Sequence, residues 1–134
     1  MQKQMLVRCL LVGLGGFIGA NARYLLGGWV QSKLGVGFPY GTFIINVSGS
    51  FVLGLFATLA LRFGWADQWR VFFAIGFVGA YTTFSTFEYE SIQLVAQGGR
   101  YTIAVINLAG SVVVGLFAAY LGVVIARLLT RGIS

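Results

Sequence analysis

Histidine is absent from this 134-residue chain, cysteine and proline occur once each, and only Asp67, Glu88 and Glu90 carry negative charge. Each scarcity excludes something. Without histidine the chain lacks the commonest metal ligand and the one side chain that ordinarily titrates near neutrality, and Cys9 has no partner for an internal disulfide. Metalloenzyme and hydrolase chemistry therefore lack their usual groups, and no nucleophile–base pair or metal-ligand cluster replaces them. No carboxylate lies deep in an apolar stretch, which removes the membrane-embedded acid on which a small multidrug exporter would depend. Positive charge is in excess, at +6 net, but the nine Lys and Arg are spread singly along the ends of apolar segments. That spacing predicts anchoring at a membrane interface and not nucleic-acid binding.

What is plentiful is apolar surface. The chain is 58% hydrophobic and 9% charged, too little polar surface to cover a soluble domain. Four stretches, roughly 9–30, 43–61, 71–95 and 103–126, are each long enough at about 1.5 Å per residue to cross a hydrocarbon core of about 30 Å. The expectation is an all-α membrane protein, a single four-helix transmembrane domain over residues 1–134. The first stretch outruns a signal-peptide core, includes Arg23 and lacks a cleavage site, so it is read as retained. The connections at 31–42, 62–70 and 97–102 are too short for a second domain. Trp29, Tyr40, Trp65, Trp69 and Tyr101 fall near segment ends, where amphipathic rings sit at headgroup level. Lys3, Arg8, Arg62, Arg70, Arg127 and Arg131 lie on the side of the termini, against Lys33, Arg100 and Arg23 on the other, a modest bias towards termini inside. So small a bundle encloses little, which predicts oligomerisation with any pathway at a subunit interface.

Polar residues within the apolar stretches point to an ion. In the first, Gly15/Gly19 and Gly16/Ala20 are small-xxx-small pairs suited to helix packing, and Arg23 is a cation that must snorkel or face a polar interior. In the second, Asn46 sets an amide inside the membrane, with Gly49 and Ser50 on its face. It serves either an inter-helix hydrogen bond or an N–H donor to a permeating anion. The third holds Thr82-Thr83-Phe84-Ser85-Thr86-Phe87 after Gly79, a cluster able to break a helix and re-satisfy the freed backbone groups. Phe84, Phe87 and Glu90 share one face. Aromatic ring edges are positive and stabilise a partly dehydrated anion without trapping it. Glu88 and Glu90 follow the apolar part and are expected at headgroup level. In the fourth, Asn107, Ser111, Gly115 and Ala119 form a narrow small-residue stripe, whose polar end serves either to line a path or as a tight helix–helix seam with Asn107 hydrogen-bonded across it.

Together these residues resemble the Fluc, or CrcB, family of fluoride channels over essentially the whole chain. The resemblance is carried by Gly15-Gly16-x-x-Gly19-Ala20-x-x-Arg23-Tyr24, by Gly41-Thr42 with Asn46-x-x-Gly49, by Gly79 through Thr82-Thr83-Phe84-Ser85-Thr86-Phe87, and by Gly110-Ser111; the third block is the specific one. It implies an antiparallel, dual-topology homodimer with a break in the third helix and two narrow pores between subunits. Phe84 and Phe87 would meet fluoride with their ring edges, Asn46 would donate to it, and Ser111 would belong to the polar track, with Thr83 and Asn107 taken into the same pore. The carbonyls of Gly79 and Thr82, completed by a second copy, would cage a structural Na⁺ that is held and not transported. Arg23, Thr42 and Glu90 become structural or vestibule positions. Ala80 stands where the family often has a second glycine, and Asn107 and Gly115 stand where hydroxyl residues often extend the track. The implied function is passive export of fluoride through the bacterial inner membrane, with fluoride, the lipid bilayer and a second copy as partners. A different class, a non-transporting assembly subunit, would use every polar pair and small-residue stripe only for packing.

Overall fold

The computed structural model describes residues 2–132, and all regular structure in that range is helical. Helix α1 spans Gln2–Leu34 and α2 spans Tyr40–Arg62. Helix α3, residues 67–81, begins as one α-turn at Asp67–Arg70, widens to a π-helix over Val71–Val78 and closes with Gly79–Tyr81. Helix α4 spans Phe84–Gly98 and α5 spans Tyr101–Leu129. With α3 and α4 taken as one span, Asp67–Gly98, four helical spans are long and apolar enough to cross a membrane. The chain is a multi-pass membrane protein. Each span runs past its apolar stretch, and residues 67–70, read from sequence as connection, form the first turn of α3. Hydropathy marks only the part of a helix that contacts lipid, whereas the backbone ladder continues into the headgroup region.

Backbone contact, unmediated by large side chains, holds two pairs of helices together. On α1, a Cβ added to Gly15 would sit 2.2 Å from the Phe72 carbonyl oxygen, and one on Gly19 would sit 2.1 Å from that of Phe77. Both are far inside van der Waals contact, so α1 and the π-segment of α3 approach this closely only because these positions are glycine. The α2–α5 seam is built the same way, with Gly54 against the Ala119 carbonyl and Gly122 against that of Phe51. The small stripe on α5 therefore runs from Ala104 through Asn107, Ser111 and Gly115 to Ala118, Gly122 and Ala126, all buried.

Along α3 the rings of Phe73, Phe77 and Tyr81 stack at centroid spacings of 5.2 and 5.8 Å, and Phe56 of α2 stacks on Phe73 at 4.2 Å. The column ends in a hydrogen bond of 2.9 Å between the Tyr81 hydroxyl and Ser48 Oγ. At one end of the bundle Arg8 pairs with Asp67 at 2.7 Å, an exposed ion pair of small energetic weight. Large apolar side chains face outward along the spans, among them Phe17, Leu25, Leu116 and Phe117, as contact with lipid requires.

Candidate functional site

Between α3 and α4, Thr82 (φ −79°, ψ 157°) and Thr83 (φ −148°, ψ 116°) are extended. An extended pair at membrane depth frees backbone groups that lipid cannot satisfy, and here side chains answer. The Thr83 N–H, which a continuing helix would give to the Gly79 carbonyl, donates to Asn46 Oδ1 at 2.8 Å. Asn46 Nδ2 donates in return to the Thr83 carbonyl at 2.9 Å. The amide of α2 thus stands in for a stretch of backbone. Thr83 Oγ1 caps α4 by accepting from the Thr86 N–H, and donates to Thr86 Oγ1 at 2.8 Å. Thr82 folds back, its N–H and its hydroxyl both donating to the Val78 carbonyl at 3.0 Å. The Thr82 methyl occupies the space beside Gly49, where an added Cβ would lie 2.3 Å from it.

This junction forms one wall of a cavity of about 400 Å³, shared with α2 and α5. Asn46, Thr83, Phe84, Phe87 and Ser111 all line it, and no charged side chain does. The Phe84 and Phe87 rings meet edge to face, with centroids 4.9 Å apart and planes at 79°. They are unequally held: Phe84 is 69% exposed and Phe87 6%. Ser111 Oγ is buried without a partner among the described residues. One of the two Asn46 amide hydrogens is committed to Thr83, which leaves the other as a donor. The lining therefore offers hydroxyl and amide donors beside two phenyl rings, a set that suits a small anion better than an apolar molecule.

A larger cavity of about 830 Å³ also reaches the junction and gathers Arg23, Thr42, Glu90 and Arg100. Thr42 Oγ1 donates to Glu90 Oε1 at 2.8 Å, while Glu90 Oε2 is buried without a partner. Glu90 is thus drawn inward by α2, whereas Glu88, two residues before it, is exposed. Thr83 lines both cavities.

Asn107, grouped from the sequence with the pore residues, stands apart from them. It does not line the 400 Å³ cavity, is 0% exposed, and its Nδ2 donates to Ser91 Oγ of α4 at 2.9 Å. Sequence reasoning passed over Ser91, whose only signal is its place one turn after Phe87. It also missed the π-segment of α3, which has no composition signature. Among the described residues no three His, Cys, Asp or Glu side chains cluster, so a cation held here would have to take backbone or hydroxyl oxygens.

A family model described as CrcB-like protein, Camphor Resistance (CrcB), matches residues 10–123. The chain is 47% identical over 122 residues to the fluoride-specific ion channel FluC of Acidobacterium capsulatum, covering 90% of this chain and 97% of that protein. It is 44% identical over 122 residues to the protein of the same name from Solibacter usitatus, covering 90% and 99%. For a protein of that name from Thermus thermophilus the identity is 45% over 115 residues, covering 86% and 90%.

Proposed function

Because the chain belongs to the CrcB family, whose members are ion channels and not enzymes, we propose that it is a fluoride-selective passive channel that lets fluoride leave the cell. The observation that supports this most is the meeting of the Asn46 amide, the Thr83 and Ser111 hydroxyls and the Phe84–Phe87 pair on one cavity free of charged side chains. Fluoride is a small, strongly hydrated acceptor. Leaving water requires replacement of its shell by donors, and Asn46 Nδ2, Ser111 Oγ and the ring edges supply them without the full positive charge that would trap the ion. The inside-negative potential drives the anion outward, worth about 2.3 kcal/mol per 100 mV, so no coupling ion is needed.

The reading extends to assembly. The exposed Phe84 ring leaves its cavity open on one side, and a second copy of the chain inserted in the opposite orientation would close it, giving a pore at the subunit boundary. The carbonyls of Gly79 and Thr82 are the proposed ligands of a structural Na⁺. They fit in two respects: carbonyl oxygens are hard ligands suited to a hard cation, and the helical donor to the Gly79 carbonyl is diverted to Asn46. A cation held there would supply positive charge to backbone oxygens that the membrane leaves unsatisfied. Arg23, Thr42 and Glu90 belong to the larger cavity, which serves as a vestibule on this reading.

The test is efflux from liposomes that contain only the purified protein, followed with a fluoride electrode and a parallel chloride measurement. Rapid fluoride efflux without chloride efflux is the expected result. No fluoride efflux from folded protein would overturn the reading.

A further inference from the structure

Asn107 is a buried amide with half of its hydrogen-bonding capacity in use, since Oδ1 has no partner among the described residues. Leucine would fill similar space on α5 without that cost, so what the used half does is informative. Nδ2 donates to Ser91 Oγ at 2.9 Å and lies 3.4 Å from the carbonyl oxygen of Phe87. Ser91 Oγ in turn donates to that same carbonyl at 2.8 Å, and Ser91 is itself 2% exposed. Two buried side chains, one on each helix, thus converge on the main chain of the residue whose ring walls the 400 Å³ cavity. Neither of them touches the cavity.

We infer that Asn107, acting through Ser91, is a positioning residue for Phe87. Consecutive residues on a helix differ by about 100° in direction, so the rotation of α4 about its axis decides where the Phe87 ring points. The Asn107 bond to Ser91 Oγ, with its longer contact to the Phe87 carbonyl, ties α4 to α5 and fixes that rotation at the residue where it matters. Ser91 carries the tie to Phe87 by its own bond within α4. Phe84 has no comparable anchor, and its edge-to-face contact with Phe87 passes the alignment on. The aromatic pair is therefore aimed from behind, by a polar clasp that the ion never meets. This inference rests on the reading of the pair as the fluoride contact.

The experiment compares fluoride and chloride flux per folded protein in liposomes for the parent, Asn107→Leu, Ser91→Ala, the double variant, Ser91→Thr and Phe87→Ile, with thermal unfolding of each. Asn107→Leu and Ser91→Ala are each expected to lower the fluoride-to-chloride flux ratio at least tenfold. The double variant should fall no further than the worse single one, and Ser91→Thr, which keeps the hydroxyl, should stay within about threefold of the parent. A merely structural role would lower the unfolding temperature and leave the ratio unchanged. Should Asn107→Leu fail to fold, Ser91→Ala against Ser91→Thr decides the matter alone. If Phe87→Ile loses flux while the two clasp variants keep the parental ratio, or if their losses multiply in the double variant, the inference is overturned. If Phe87→Ile conducts like the parent, the aromatic reading falls and this inference with it.

Discussion

Asn46 and Thr83 exchange two hydrogen bonds across the α2–α4 boundary, Thr83 N–H to Oδ1 at 2.8 Å and Nδ2–H to the Thr83 carbonyl at 2.9 Å. One side chain so satisfies both backbone groups of the residue at which the third span is extended. Asn46→Leu should strand both inside the membrane. Each unmet group costs about 1–3 kcal/mol, so a clear fall in unfolding temperature is expected together with lost fluoride flux. Asn46→Asp keeps the acceptor for the Thr83 N–H and gives up both amide donors. Calorimetry and flux on both variants check this; parental stability in Asn46→Leu would show that the clamp is dispensable.

The two rings of the aromatic pair differ in burial, and their substitutions should differ accordingly. Phe84→Ile and Phe87→Ile are both expected to cut fluoride flux sharply. Only Phe87→Ile should lower stability, by about 1–2 kcal/mol, since it alone alters close-packed surroundings. Normal conduction in both variants would refute the edge-on contact.

Gly49 faces the Thr82 methyl at a distance that leaves no room for a side chain. Gly49→Ala should cost about 1–3 kcal/mol as an overpacked contact and should impair flux by displacing Thr82. Adding Thr82→Ser removes the colliding methyl while keeping the hydroxyl that donates to the Val78 carbonyl. Recovery in the double variant, measured as unfolding temperature and flux, is the expected result; an additive loss would place the strain elsewhere.

A cation bound to the folded state and not to the unfolded chain stabilises by mass action. Exchange of Na⁺ for a bulky organic cation should therefore lower the unfolding temperature, with the effect weakened in Asn46→Leu, where the clamp that holds the extended pair is lost. An unfolding temperature indifferent to Na⁺ in the parent would dismiss the carbonyl site.

How far the sequence could be read depended on what each residue's signal reports. Four spans were legible because hydropathy is a sum over many side chains, and the small-xxx-small spacing of Gly15 and Gly19 announced a close seam, which the structure places against α3. The grouping of Asn46, Thr83, Phe84, Phe87 and Ser111 on one cavity was also foreseeable, through the resemblance, since no periodicity relates residues on different helices. Asn107 shows the limit. Its spacing from Ser111 put it on the correct face of α5, but the neighbour it bonds is a matter of tertiary packing, and that neighbour is Ser91. Glu90 shows another, because its position after the apolar run could not reveal that Thr42 draws it inward. The π-segment of α3 arises where the chain lies against the α1 glycines, and nothing local encodes it.

Thr83 lines both cavities, and on the channel reading the consequence is electrical. Where water reaches deep from both faces of a bilayer, the transmembrane voltage no longer falls evenly over about 30 Å of hydrocarbon but collapses onto whatever dielectric is left between the aqueous ends. On that reading, with the two cavities wetted from opposite faces, Thr83 would belong to that remainder, since it lines both. The field would then concentrate there, and an anion crossing would perform much of its electrical work in a single step beside one threonine.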